Sequence, residues 1–158
     1  MRVRDLMTPN PHYCTRLQTA SDAARAMSDF DIGCVPVVDA GHVPIAMVTD
    51  RDICLAAYTA DAPPSRVPIA HVMSNAIYTC RVDDSLQSAE RTMRDWQVRR
   101  LPVVNDRGLL VGILSLNDIV LASTRSPLAK AAQRLRGDVD RTLAAVCRHR
   151  PVPAGLQV

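Results

Sequence analysis

The stretch that decides the fold is Leu110-Val111-Gly112-Ile113-Leu114-Ser115-Leu116-Asn117-Asp118-Ile119. An apolar run is followed by a hydroxyl residue, by an aspartate three positions later and by further apolar residues. The run is typical of a buried strand, and the hydroxyl and the aspartate are typical of the first turn of a helix. The same arrangement occurs earlier, from Ile45 to Ile53, with Thr49 and Asp52 at the equivalent positions.

The two stretches belong to a longer internal repeat with an offset of 66 positions. Adding 66 to the number of Met7, Cys14, Met27 or Pro36 gives a residue of the same type. No insertion is needed anywhere between Met7 and Ala122. A fixed offset over this length predicts two copies of one structural unit.

Each copy is predicted to be a β-α-β-β-α unit. In the first copy, Thr19 caps the first helix, with Asp22 as its capping-box partner. The other first-copy elements are strands at Cys14–Leu17, Val35–Val38 and Ile45–Val48 and a helix at Asp50–Tyr58. A unit of about 60 residues buries only a marginal core alone. We therefore expect an α+β fold in which the two units share their buried faces.

The expected division of the chain is a first unit at residues 1–60, a proline-containing linker at 61–68, a second unit at 69–124 and a tail at 125–158. The tail is predicted to be an amphipathic helix, because apolar residues recur in it at three-to-four spacing. It is also basic: residues 1–124 carry 12 Arg and 14 acidic residues, whereas residues 125–158 carry seven Lys or Arg and two Asp. Such a helix can pack on its own module or on a dimer partner, contact nucleic acid, or lie on a membrane surface.

Composition restricts the class of protein. Hydrophobic residues make up 47% of the 158 residues, which suits one compact domain or two small packed ones. No apolar run approaches the roughly 20 residues that span a bilayer, and the N-terminus lacks the apolar core of a signal peptide. The five cysteines show no CxxC spacing. We therefore expect a cytoplasmic protein.

The ordered motifs resemble those of a tandem pair of cystathionine-β-synthase-type (CBS) domains. The resemblance depends on an ordered set that occurs twice at one offset. In the first copy the set is Asp5-Leu-Met-Thr8, Val35-Pro-Val-Val38 and Thr49-x-x-Asp52. In the second copy the corresponding motifs are Val72-Met-Ser74, Leu101-Pro-Val-Val104 and Ser115-x-x-Asp118. The match covers about four-fifths of the chain and leaves the tail unexplained.

The resemblance implies two repeats about a pseudo-two-fold axis, with clefts between them that bind adenosine-containing ligands. The ligands it implies are AMP, ADP, ATP, S-adenosylmethionine or NAD, and it implies a homodimer. By the same resemblance, Asp52 and Asp118 bind ribose, and Thr49 and Ser115 lie near ribose or phosphate. A carboxylate can accept hydrogen bonds from both ribose hydroxyls, so the assignment is chemically sensible.

The resemblance also implies that basic residues just before the proline-containing strand meet phosphate. Those positions hold Arg99 and Arg100 in the second repeat but Gly33 and Cys34 in the first. A guanidinium can hold a phosphate bidentately, so we expect the cleft that carries Asp118 to be the better phosphate site. The alternative is that the two arginines are solvated surface charges.

Two of these assignments have a structural alternative. Thr49-x-x-Asp52 and Ser115-x-x-Asp118 are also acceptable capping boxes, a role compatible with ligand binding. Aromatic residues are only 3% of the chain, so apolar side chains are expected to sandwich the adenine. The candidates are Ile32, Met47, Val98 and Ile113, each of which can equally be ordinary core.

No catalytic motif is visible, and the four histidines lack metal-ligand spacing. The sequence therefore predicts a regulatory module, not an enzyme, that senses an adenosine-containing ligand and requires no cofactor. One alternative is a protein-interaction scaffold with degenerate clefts. Another is a regulator that binds nucleic acid through the tail.

Overall fold

The computed structural model describes residues 1–124 and 130–148, so residues 125–129 and 149–158 of the predicted tail lie outside it. The strands are β1 (Thr8–Pro9), β2 (Cys14–Thr15), β3 (Cys34–Val38), β4 (Pro44–Thr49), β5 (Cys80–Arg81), β6 (Arg100–Val104) and β7 (Leu110–Ser115). The α-helices are α1 (Ala20–Asp29), α2 (Asp50–Ala60), α3 (Ile69–Val72), α4 (Leu86–Trp96), α5 (Leu116–Thr124) and α6 (Lys130–Val146). Short 3-10 helices lie at Val3–Asp5 and Pro64–Arg66.

The predicted β-α-β-β-α order is confirmed in both copies, as β2-α1-β3-β4-α2 and β5-α4-β6-β7-α5. One sheet has the order β2-β3-β4 and the other β1-β7-β6-β5. In each copy the two long strands pair antiparallel, and the short first strand joins them in parallel. The short strand β2 ends earlier than predicted because Gln18 folds back in a turn, accepting a hydrogen bond from the Thr15 backbone N–H (2.8 Å).

The strand register repeats with the same offset as the sequence. Cys34 pairs with Thr49 in the first sheet, and Arg100 pairs with Ser115 in the second. Both pairs of strands carry an irregularity at the same place, after Val37 and after Val103. The sequence repeat is therefore a repeat of backbone geometry.

Strand β4 and its counterpart β7 each present one buried and one half-buried face. Burial alternates residue by residue in both strands. Ala46 and Val48 are fully buried in the first core, whereas Met47 and Thr49 face the other way and stay partly exposed. Because side chains alternate along a strand, packing of the core face fixes which residues form the site.

The two units exchange their N-terminal segments. Val3 is fully buried in the core of the second unit, and its backbone N–H donates to the Asp84 carbonyl (3.0 Å). Ile69 is buried in the core of the first unit, and its N–H donates to the Gln18 carbonyl (2.9 Å). The segment 61–68, predicted as a linker, also carries Val67 into the first core. Reciprocal contacts of equivalent residues are what a two-fold relation produces.

Helix α6 packs across α4 and α5 of its own chain. Val139 is buried in the second core, and Arg94 Nη1 donates to Thr142 Oγ1 (3.0 Å). The predicted tail helix is thus present, and the described part of it packs on its own module. Within the described residues, no helix is both long and apolar enough to cross a bilayer.

Candidate functional site

Two capping boxes hold the candidate ribose-binding carboxylates in place. The Thr49 hydroxyl donates to Asp52 Oδ2 (2.7 Å) and accepts from the Asp52 backbone N–H (3.2 Å). The Ser115 hydroxyl makes the same bonds with Asp118 (2.7 and 3.2 Å). The capping interpretation is therefore correct. Among the described residues, Oδ1 of each aspartate accepts no hydrogen bond, so one oxygen remains available for a ligand.

Thr49 and Asp52 line a cleft of about 610 Å³, which we call the Asp52 cleft. Met47 and Val98 are in its wall, together with Arg100. The other lining residues are Ser74, Asn75, Ala76, Tyr78, Asp95, Trp96 and Gln97. The volume lies in the range of small-molecule sites.

Ser115 and Asp118 line a second cleft of about 470 Å³, which we call the Asp118 cleft. Ile32, Ile113 and Arg100 are in its wall. The other lining residues are Thr8, Pro9, Asn10, Pro11, His12, Phe30, Asp31, Gly33, Cys34 and Pro36. Together the two clefts contain every candidate site residue except Arg99.

Each cleft takes residues from both repeats. This corrects the expectation that Arg99 and Arg100 both lie in the cleft that carries Asp118. The Asp52 cleft takes Asp52 from the first repeat and Val98 and Arg100 from the second, whereas the Asp118 cleft meets Gly33 of the first repeat. Because the two-fold relation places each repeat's aspartate opposite the other repeat's strand entry, Asp118 does not share a cleft with both arginines. Arg99 is exposed and lines neither cleft.

Each cleft also contains a stacked pair of aromatic rings that sequence reasoning missed. His12 stacks on Phe30 in the Asp118 cleft, with ring centroids 3.4 Å apart. Tyr78 stacks on Trp96 in the Asp52 cleft, with centroids 4.4 Å apart. The two pairs are equivalent at the offset of 66 positions, a signal present in the sequence. The low aromatic content of the chain gave no indication that these two pairs of rings lie in the clefts.

Arg100 lies where the two clefts meet. Its guanidinium Nη2 is 3.6 Å from the point where a Cβ on Gly33 would lie, and Asp50 Oδ2 is 3.4 Å from the same point. Burial raises the pKa of the neighbouring Cys34 thiol; Arg100 opposes this shift and Asp50 adds to it. Cys34 is therefore a neutral, inert thiol near neutral pH.

The side chains of the clefts provide the kinds of contact that a nucleoside needs. The capped carboxylate can accept from a sugar diol, the aromatic pair and the apolar pair can contact a base, and Arg100 can contact phosphate. Among the described residues, no cluster of three or more His, Cys, Asp or Glu side chains could hold a metal ion.

A family model described as the CBS domain matches residues 3–58 and again residues 69–125. The two matches together cover more than half of the chain. The chain therefore belongs to the CBS domain family and carries a tandem pair of its domains, which confirms the resemblance seen in the sequence.

Individual relatives support the same assignment. The chain is 36% identical over 130 residues to the CBS domain-containing protein YhcV of Bacillus subtilis, a match that covers 82% of this chain and 91% of that protein. It superposes on the crystal structure of Hypoxic Response Protein I with two coordinated zinc ions with a TM-score of 0.69, at 30% identity, over 77% of this chain and 98% of that one. It superposes on CBSX2 in complex with AMP with a TM-score of 0.67, at 25% identity, over 77% and 95% of the respective chains.

Proposed function

We propose that this protein is a regulatory module that binds an adenosine-containing ligand in one or both clefts. AMP, ADP, ATP, S-adenosylmethionine and NAD are the candidate ligands. Binding would favour one conformation or assembly of the module and so alter a partner, because a ligand shifts an equilibrium only by preferring one state.

The observation that carries the proposal is the repetition of one complete set of side chains. Each cleft combines a capped aspartate, a hydroxyl, an apolar pair and a stacked aromatic pair. Helix capping explains the aspartate and the hydroxyl but not the aromatic rings beside them. Phe30 and Trp96 are each about half exposed. Exposed rings beside a carboxylate provide both the apolar and the polar surface that a nucleoside needs.

The complex of CBSX2 with AMP supports the choice of ligand class. That relative has the same fold over nearly its whole length and binds an adenosine monophosphate. In the present chain, Asp52 and Asp118 are the proposed ribose contacts, and Met47 with Val98 and Ile32 with Ile113 are the proposed apolar contacts of the base.

We propose that the module itself is not catalytic. Cys34, the cysteine that lines the Asp118 cleft, is buried, and burial raises the pKa of its thiol. Among the carboxylates of the clefts, those of Asp52 and Asp118 accept hydrogen bonds in helix caps. The carboxylates of Asp31 and Asp95 are on exposed residues. The ligand is therefore proposed as a regulator and not as a substrate.

We propose a homodimer, because the family resemblance implies one. We propose a cytoplasmic location, because the five cysteines show no CxxC spacing. Tyr58 is 85% exposed and Leu55 50% exposed on α2, so they provide an apolar surface for a second copy. Sedimentation of the chain and of a Tyr58→Arg variant would measure the assembly. A monomer at micromolar concentration would contradict the dimer.

A thermal-shift screen with the five candidate ligands tests the proposed function. A ligand that binds only the folded state raises its stability by about 2.7 kcal/mol at 100 times its dissociation constant. We expect at least one ligand to raise the melting temperature of the full chain. A chain that responds to none of them would favour the interaction scaffold with degenerate clefts.

A further inference from the structure

Among the described residues that line the two clefts, Arg100 is the only lysine or arginine, and it lines both. The Asp52 cleft otherwise contains the carboxylates of Asp52 and Asp95. The Asp118 cleft contains those of Asp31 and Asp118. Apart from Arg100, each cleft is therefore acidic, and both depend on the same cation to attract an anionic ligand.

The guanidinium of Arg100 is not committed to another side chain. Within the described residues it makes no salt bridge and no side-chain hydrogen bond, although the residue is partly buried. Asp50 Oδ2 lies 3.4 Å from the point where a Cβ on Gly33 would lie, and Arg100 Nη2 lies 3.6 Å from the same point. A partly buried cation without a hydrogen-bonded partner is costly, and an anion bound beside it would remove that cost.

We propose that Arg100 serves one cleft at a time, so that a phosphate-bearing ligand in either cleft weakens the binding of a second one in the other. This inference rests on the proposed function and adds that the two clefts are coupled. One guanidinium that holds a phosphate bidentately in one cleft cannot do the same in the other. A second phosphate would enter an acidic cleft beside a first phosphate, and like charges repel.

The coupling between the clefts should depend on the charge of the ligand. Uncharged adenosine does not need Arg100, so its binding in one cleft should not depend on the other. Two nucleotides should compete for Arg100, whereas one nucleotide and one adenosine should be compatible. The module would therefore respond to the ratio of phosphorylated to unphosphorylated adenosine compounds.

Calorimetric titration of the full chain with AMP and with adenosine tests the proposal. We expect one tight AMP site per chain and a second that is about 10- to 100-fold weaker, the loss that follows from removing one charge-assisted contact. The single-cleft variants Asp52→Asn and Asp118→Asn should each retain one AMP site that binds more tightly than the second site of the unmodified chain. Asparagine keeps the shape of the capping residue, so these variants are chosen over alanine.

Arg100→Ala should remove the preference for AMP over adenosine in both single-cleft variants and abolish the coupling. Arg99→Ala removes the same charge one position away and outside both clefts, so it should change neither. Equal and independent AMP sites in the unmodified chain, or an effect of Arg100→Ala on one cleft alone, would overturn the proposal while adenosine binding still supported the proposed function. Absence of binding by both AMP and adenosine would overturn the proposed function, and the coupling with it.

Discussion

At the scale of single residues, the described part of the chain contains three versions of one Thr/Ser–Asp capping box, and only two of them lie at a cleft. Thr19 and Asp22 make the same hydrogen bonds as Thr49 and Asp52, with the hydroxyl donating to Oδ2 at 2.8 Å. They line neither cleft. The third box therefore provides a control in which the structural role of the aspartate occurs without the proposed ligand role.

Alanine substitutions at Asp22, Asp52 and Asp118 should separate the two roles. Each removes the carboxylate that completes a capping box, so we expect similar decreases in melting temperature. Only Asp52→Ala and Asp118→Ala should also lose a charge-assisted bond to ribose of about 1.5–3 kcal/mol, or one to two decades in affinity. Calorimetry and thermal melts measure the two effects. Unchanged adenosine affinity in both folded cleft variants would defeat the ribose assignment.

Trp96 is the only tryptophan of the chain and lies in the Asp52 cleft. Its fluorescence should therefore report the occupancy of that cleft alone. We expect adenosine to change the emission, Asp52→Ala to weaken this response, and Asp118→Ala to leave it intact. Replacing Trp96 by Leu should cost about 1–3 kcal/mol of stacking with the base. A response that depends on Asp118 instead would show that the ring reports another event.

At the scale of elements, the sequence predicts the interior of each unit well and the exchanged segments not at all. Helix α1 and the two long strands of each unit follow from local periodicity and capping. The burial of Val3 in the second core depends on a contact more than eighty positions away, which no local pattern encodes. Gly137 likewise does not break α6, because packing against α4 outweighs the cost of one glycine.

Glu90 makes the contact between α4 and α6 sensitive to pH. It is 1% exposed, and neither carboxylate oxygen has a hydrogen-bond partner in the described part of the chain. Burial, with a smaller contribution from Asp138, raises its pKa from 4.5 to about 7, while Arg94 and Arg141 oppose the shift. The folded state therefore holds this proton more tightly than the unfolded state does.

A raised carboxyl pKa lowers stability as pH rises. The contribution of Glu90 is fully present below the pKa that it has in the unfolded chain and is lost as pH rises through about 7. A tenfold difference in proton affinity between the folded and unfolded states corresponds to about 1.4 kcal/mol of stability. Glu90→Gln should therefore be more stable than the unmodified chain at about pH 8, and the difference should shrink at about pH 5. Thermal melts at both values measure this, and a difference independent of pH would contradict it.

At the scale of the whole molecule, the composition of the clefts follows from the two-fold relation and not from either repeat alone. The individual residues Asp52, Asp118, Met47 and Ile113 were predictable because a repeated motif marks them. Their partners were only partly predictable: Arg100 lines the Asp118 cleft as expected, but it also lines the Asp52 cleft, and Arg99 lines neither. Only the arrangement of both units shows that Arg100 lines both clefts.

The exchange of N-terminal segments predicts that neither unit folds alone. A fragment of residues 1–66 would lack Ile69 in its core, and a fragment of residues 67–158, which keeps α6, would lack Val3. We expect each fragment to be unfolded by circular dichroism and the two together to regain the native spectrum, because each supplies the buried segment of the other. A stable, folded monomer of either fragment would show that the exchange is not needed.

Calorimetric titration of adenosine into the full chain and into a double Asp52→Ala, Asp118→Ala variant measures most directly whether the clefts are nucleoside sites. Adenosine isolates the sugar and the base from the phosphate, so Arg100 does not enter the result. The two clefts predict saturable binding by the unmodified chain and an affinity lower by about one to two decades in a double variant that remains folded. Equal binding by both chains, or no binding by either, would contradict a nucleoside-sensing function for these clefts.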